Sequence, residues 1–236
     1  MYYYHENIIG GEVSDSNDIK SYVIRGGKLT KRQSAALHHH ADRYLIPYQD
    51  QPIEKWFDND HPVICDIGFG MGHAFVEQAL ANPDTNFLGI EVYPAGVGSV
   101  IAACNENSCT NIRIVQYDAI AVLRDMATAQ SFAKVQLLYP DPWPKKRHHK
   151  RRIIRPSFIQ EVIKVLTPGG FFQVVTDWQP YADEIKILMA AYNTQLSMVE
   201  LPNEKTIGGP DILRTAFARK GLAKGHHISN LLYQKP

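Results

Sequence analysis

Val63-Ile64-Cys65-Asp66-Ile67-Gly68-Phe69-Gly70-Met71-Gly72 passes abruptly from an apolar run to a glycine at every second position. The run reads as a buried strand ending at the first glycine. Gly68, Gly70 and Gly72 tolerate positive φ and leave bare backbone against which a ligand can lie. His73 to Leu80 then reads as a helix whose first N–H groups face that turn. Strand, glycine turn and helix open a doubly wound α/β nucleotide-binding domain. A turn that merely joins a strand to a helix looks the same locally, so the rest of the chain must decide.

Outward from this unit, strand and helix patterns alternate. Strands are expected at Asn86 to Val92, Ile112 to Tyr117, Lys134 to Tyr139 and Phe171 to Thr176. Helices are expected at roughly Ala95 to Asn105, Ala119 to Ala127, Ser157 to Leu166 and Tyr181 to Tyr192. Such alternation implies a Rossmann-like, mostly parallel sheet with helices on both faces. Two short apolar runs between Ile212 and Tyr233 are expected to form a closing antiparallel pair.

At 236 residues the chain suits one domain of residues 51–236 preceded by a partly flexible arm, residues 1–50. Lys20, Arg25, Lys28, Lys31 and Arg32 lie in that arm with no acid between Ile19 and Ala41. The run is a solvated face or a segment that closes over a polyanion. His38, His39 and His40 point in three directions on a helix, which disfavours a metal site. The chain as a whole carries a formal charge of +1, so only local charge can indicate a partner. Three cysteines without a CxxC pair argue against a disulfide framework or a zinc site and fit a cytoplasmic protein. No apolar run reaches the length of about 18 residues that a membrane helix requires.

In doubly wound folds the ligand lies beyond the carboxyl ends of the strands, and here those ends are acidic. Asp66, Glu91, Asp118, Asp141 and Asp177 each fall at or near one. Glu91 follows the glycine turn by about 20 residues, the spacing at which a carboxylate accepts both ribose hydroxyls. NAD, ATP and S-adenosylmethionine all carry that ribose. An acid as near the turn as Asp66 would repel a pyrophosphate but attract a sulfonium and an ammonium group, which favours S-adenosylmethionine. The turn, with Asp66, Gly68, Gly70 and Gly72, resembles the first motif of the class I S-adenosylmethionine-dependent methyltransferases. That resemblance implies Glu91 at the ribose and Asp118 at the adenine amine.

After the fourth strand comes Tyr139-Pro140-Asp141-Pro142-Trp143-Pro144, where three prolines stiffen the backbone around one carboxylate and one large aromatic. Seven Lys or Arg then fall within eleven residues, from Lys145 to Arg155, with no acid among them. Helix faces usually mix both signs, so this run reads as a docking track for a polyanion, its contacts fixing register without reading sequence.

Asp66 to Gly72, Gly89-Ile90-Glu91-Val92, Asp141-Pro142-Trp143 with its basic continuation to Arg152, and Thr176-Asp177-Trp178 together resemble the tRNA (guanine-N7-)-methyltransferase family, from about Ser21 to the C-terminus. The resemblance implies methyl transfer to N7 of the variable-loop guanine, position 46 of tRNA. It implies Asp141 as the catalytic position, and Lys145, Asp177, Thr215 and Phe217 as substrate contacts. Arg147, His148, His149, Lys150, Arg151 and Arg152 become the RNA-contacting segment. The family's Thr-x-Phe-Glu element here reads Thr215-Ala216-Phe217-Ala218, without its glutamate. The resemblance implies tRNA as the partner, with no membrane and no metal, and the protein is expected as a monomer or weak homodimer.

The chemistry agrees. Guanine N7 already exposes a lone pair, so neither a general base nor a nucleophile is needed. Asp141 stabilises charge developing on the purine, or orients the ring through guanine N1 and N2, and Trp143 walls or stacks the base. Three rivals remain: a methyltransferase acting on an exocyclic nitrogen or a protein, an NAD-dependent oxidoreductase, and a non-catalytic RNA-binding protein.

Overall fold

A computed structural model describes residues 19–23, 28–53, 55–200 and 227–236. Seven strands form one sheet in the order β3-β2-β1-β4-β5-β7-β6. They are β1 (Val63–Ile67), β2 (Asn86–Ile90), β3 (Ile112–Val115), β4 (Phe132–Leu138), β5 (Leu166–Thr176), β6 (Ser197–Met198) and β7 (Ser229–Gln234). The first five pair in parallel, and β7 runs antiparallel between β5 and β6. The Rossmann-like, mostly parallel sheet read from the sequence is therefore present.

Helices α1 (Lys31–Tyr44), α2 (His73–Ala81) and α3 (Pro94–Glu106) cover one face of the sheet. Short α4 (Ala119–Ala121), α5 (Pro156–Val165) and α6 (Gln179–Ala190) cover the other. Strand periodicity sorts the core between these layers. Along β1, Ile64 packs under α2 and α3, whereas Cys65 and Ile67 pack under α5 and α6. Asp66 therefore shares the face of Ile64.

Three features depart from the sequence reading. Of the expected closing pair, the second run is realised as β7, Ile212 lies outside the described residues, and the antiparallel partners of β7 are β5 and the two-residue β6. The third crossover helix is α4 continued by a π-helical turn, Val122–Met126, closed by Ala127 N–H to the Val122 carbonyl at 3.2 Å. Within the arm, residues 31–44 form α1, opened by a reciprocal Thr30–Gln33 capping box. It buries Ala36, Ala41 and Tyr44 against α3, because two apolar stripes meeting gain more than a solvated polar helix would. His38 and His39 are exposed and His40 half-buried, and among the described residues no three His, Cys, Asp or Glu side chains converge as metal ligands would. No described helix is long and apolar enough to cross a membrane.

Candidate active site

Gly68, Gly70 and Gly72 adopt φ of +73°, +59° and +74°. A side chain at any of them would be strained by roughly 1–2 kcal/mol. Space beyond Gly68 and Gly70 is open, with nothing within 4 Å of an added Cβ. The turn thus presents bare backbone to a cavity. Gly96 in α3 supports it from behind: a Cβ there would lie 2.0 Å from the Gly70 carbonyl oxygen. Sequence reading passed over Gly96, since a glycine inside a helix carries no local ligand signal.

Glu91 stands one residue past β2 and is 9% exposed. Its Oε2 accepts from Gly70 N–H at 2.8 Å, and its Oε1 from the Val92 and Tyr93 N–H groups at 2.7 and 3.0 Å. Burial pushes its carboxyl pKa up, and those three backbone donors oppose the shift. Asp141 adds to the rise by its own charge, so the two acids face each other electrostatically.

Both line one cavity of about 210 Å³ with Ser21, Tyr22, Ile67, Gly68, Tyr117 and Tyr139. It sits where β1, β2 and β4 end, the point at which strand order reverses and ligands of doubly wound folds collect. Ser21 and Tyr22 belong to the polar arm, and no pattern in the sequence marks them. Burial, then the charge of Asp118, pushes the Tyr22 phenol up to about 12.

The other acids are placed differently. Asp66 does not line the cavity; it is 1% exposed, and its Oδ2 accepts from Gln136 Nε2 at 2.8 Å. Gln136 also donates to Gln78 Oε1 at 2.9 Å, so a buried polar cluster lies beneath α2. Burial pushes Asp66 up to about 7 and nearby Lys134 down to about 8. Asp118 caps α4 through Ala121 N–H at 3.0 Å, while its neighbours Tyr117 and Ala119 line the cavity. Asp177 is half-buried before α6, outside the cavity lining. Thr215 and Phe217 lie outside the described residues.

At the mouth, Tyr139 and Trp143 hold φ of +55° and +43°, rare for large side chains and characteristic of sites that must aim a group. Asp141 is exposed between them. Trp143 Nε1 donates to the Ser21 carbonyl at 3.2 Å, tying the arm to the acid-aromatic wall.

The basic run becomes a 3₁₀ turn, Lys146–Arg151, directly after the wall. Lys145, Lys146, Arg147 and Lys150 are exposed. Arg151 lies 5.3 Å from the Trp143 ring centroid, and His148 meets the same ring edge-on at 5.8 Å. Desolvation and then the surrounding cations Arg147, Arg151, Lys145 and Lys150 hold the His148 imidazole below its ordinary pKa, a mark of crowded positive charge. Arg152 breaks the pattern. Expected as an RNA contact, it is 4% exposed and turned inward, its Nε donating to the Pro142 carbonyl at 2.8 Å and its Nη1 paired with Glu184.

The family described as "Putative methyltransferase" matches residues 60–231. A tRNA (guanine-N(7)-)-methyltransferase of Pasteurella multocida is 39% identical over 92% of this chain and 86% of its own length. The Haemophilus influenzae enzyme of the same name is 39% identical over 92% of this chain and 89% of its own. Among solved structures, the 16S rRNA methyltransferase KamB superposes with a TM-score of 0.54 at 15% identity, covering 91% of this chain and 99% of its own, a likeness of fold.

Proposed function

Because the chain belongs to the tRNA (guanine-N(7)-)-methyltransferase family, we propose that the cavity and its basic border carry out this methylation on the variable-loop guanine, position 46, with Asp141 as the catalytic group. The protein is a tRNA-modifying methyltransferase that uses S-adenosylmethionine. The observation that carries the site assignment is that Glu91 and Asp141 face one cavity whose rim continues into the cationic 3₁₀ turn.

The residues present fit the cofactor. Open backbone at Gly68 and Gly70, a carboxylate oriented by three N–H groups, and a second acid across the cavity suit a ribose beside a cationic donor. S-adenosylmethionine, when bound, supplies an electrophilic methyl group. Gly68 and Gly70 would cradle it, Glu91 would accept from its ribose, and Tyr117 and Tyr22 would stand beside it, while Gly72 gives the turn its close approach to α3, an added Cβ there lying 2.0 Å from Val100 Cγ2. Asp66 supports the cradle from within the sheet, and Asp118 acts at the adenine end by fixing the start of α4.

Trp143 walls the guanine, and Asp141 holds the ring while its charge favours the cationic purine over the neutral one. N7 needs no base, so positioning dominates, and orientation can supply up to roughly 7–11 kcal/mol. Lys145 and Asp177 contact the substrate nucleotide, as do Thr215 and Phe217 of the undescribed segment. Arg147, His148, His149, Lys150 and Arg151 face the RNA backbone. The target guanine must be unstacked or in a loop, since N7 in an A-form duplex lies in a deep, narrow groove. We place the protein in the cytoplasm, acting as a monomer or weak homodimer without metal, as one catalytic domain, residues 51–236, preceded by an arm, residues 1–50.

Incubating the protein with labelled S-adenosylmethionine and unmodified tRNA transcripts, then cleaving at N7-methylguanosine with borohydride, tests the whole reading. Cleavage at the variable loop is the expected result; label on an exocyclic nitrogen or on protein overturns it.

Two variants test the parts. Glu91→Gln should raise the S-adenosylmethionine Kd about 10- to 100-fold, since hydrogen bonds to a charged partner contribute about 1.5–3 kcal/mol. Calorimetry checks it, and tRNA affinity should hold. Arg147→Ala, Lys150→Ala and Arg151→Ala should each lower the slope of log Kd against log salt by up to about one unit. An unchanged slope in all three would move RNA docking elsewhere.

A further inference from the structure

Arg152 ends a run of cations that meets solvent, yet it is the buried member of that run. Each of its three guanidinium nitrogens has a partner. Nε donates to the Pro142 carbonyl at 2.8 Å, Nη1 pairs with Glu184 on α6, and Nη2 lies 3.1 Å from His149 Nε2. The Tyr181 ring centroid is 4.7 Å from Cζ. Glu184 also stands 4.0 Å from His149 Nδ1. A side chain held on four sides in this way and 4% exposed does not present its charge to a phosphate in solvent.

Pro142 separates Asp141 from Trp143, so its carbonyl lies at the centre of the acid-aromatic wall. Proline fixes φ at that residue, and the wall can then rotate chiefly through ψ of Pro142 and φ of Trp143, the torsions flanking the peptide unit that carries this carbonyl. Trp143 holds φ of +43°, a conformation that persists only where surroundings enforce it. A planar guanidinium anchored to a different element can enforce it, because its fork fixes direction as well as distance. Lysine, a point donor on a flexible stem, cannot do the same.

We infer that Arg152 is a positioning residue for methyl transfer: clamped by Glu184 and Tyr181, it fixes the Pro142 carbonyl and through it the aim of Asp141 and Trp143. The inference rests on the reading of Asp141 as the catalytic group. It assigns Arg152 and Glu184 a shared role that RNA binding does not require.

The test compares Arg152→Lys, Glu184→Gln, their double variant and Asp141→Asn in one set of measurements. These are kcat with saturating tRNA, Kd for S-adenosylmethionine, tRNA Kd against salt, and thermal midpoint. Glu184 is half-exposed, so Glu184→Gln keeps the fold accessible should Arg152→Lys not fold. Expected is a fall in kcat of about 10- to 100-fold in either single variant, no larger in the double. Both affinities and the salt slope should stay as in the parent. In a further variant that removes the charge, Arg152→Gln, a salt slope lower by about one makes Arg152 an RNA contact and overturns the clamp. Unchanged kcat in Glu184→Gln overturns it too, as does a kcat loss only in proportion to a lowered midpoint. If instead Asp141→Asn keeps full kcat, the reading of Asp141 itself has failed, and the clamp loses the group it was inferred to aim.

Discussion

Asp141→Ala should leave S-adenosylmethionine binding within about threefold of the parent and reduce single-turnover methyl transfer to tRNA by roughly 10²–10³-fold, the usual cost of removing one preorganised charge-stabilising group. Glu91 and the glycine turn hold the cofactor, and neither depends on the Asp141 side chain: the Glu91 carboxylate is fixed by Gly70, Val92 and Tyr93 N–H groups. Removing Asp141 relieves the repulsion that adds to the burial-driven rise of the Glu91 pKa and forfeits one acid facing the cationic donor, two opposed effects that keep the change in cofactor affinity small. Positive charge moves onto the purine during transfer, and a carboxylate on the cavity wall favours that state over the ground state. Asp141→Asn separates two contributions, because it keeps an acceptor for guanine N1 or N2 but loses the charge. A loss in Asn close to that in Ala assigns the effect to charge; a mild loss assigns it to orientation. Full turnover in the Ala variant would remove Asp141 from catalysis altogether.

What the sequence made legible, and what it hid, follows from how local each signal is. The glycine turn, the five parallel strands and Glu91 are written in short-range patterns, because positive φ, period-2 burial and a fixed loop-to-strand distance are properties of neighbouring residues. The acid census counted Asp66 toward the cavity by its nearness to the turn. Strand alternation already opposed this: Asp66 lies on the same face as Ile64, and opposite to Ile67, which does line the cavity. Asp118 turned out to fill the helix-capping role open to any acid at a strand end. Charge in the basic run was legible, but the inward turn of Arg152 was not, since its partners Glu184 and Tyr181 lie about thirty residues away on α6. Gly96 was hidden for the same reason. Its constraint comes from Gly70 across the packing interface, and no window of sequence contains both.

That hidden constraint yields the other large effect. Gly96→Ala should raise the S-adenosylmethionine Kd about 100-fold while adding only one methyl group, on a helix that contributes no residue to the basic run. The added Cβ would sit 2.0 Å from the Gly70 carbonyl oxygen and 3.0 Å from its carbon, both backbone atoms with no rotamer to escape into. Either α3 shifts or the turn does. Overpacking of this kind costs about 1–3 kcal/mol, which for a chain of this size lowers the thermal midpoint by several degrees. The fold should survive, but Gly70 N–H is the donor that holds Glu91 Oε2, so moving the turn also releases the carboxylate assigned to the ribose. Two elements of the cofactor site are therefore lost through one residue that lies outside it. Gly70→Ala is the matched control. It adds its Cβ to open space at φ +59°, so it strains the backbone and intrudes on the ligand without pushing on α3. Both variants should bind tRNA at low salt much as the parent does, because neither changes a residue of the basic run Lys145 to Arg151. Should Gly96→Ala bind the cofactor as tightly as the parent while Gly70→Ala also does, the glycine turn is not the cradle, and the methyl donor must be held by the other residues lining the cavity, Glu91, Tyr117 and Asp141 among them.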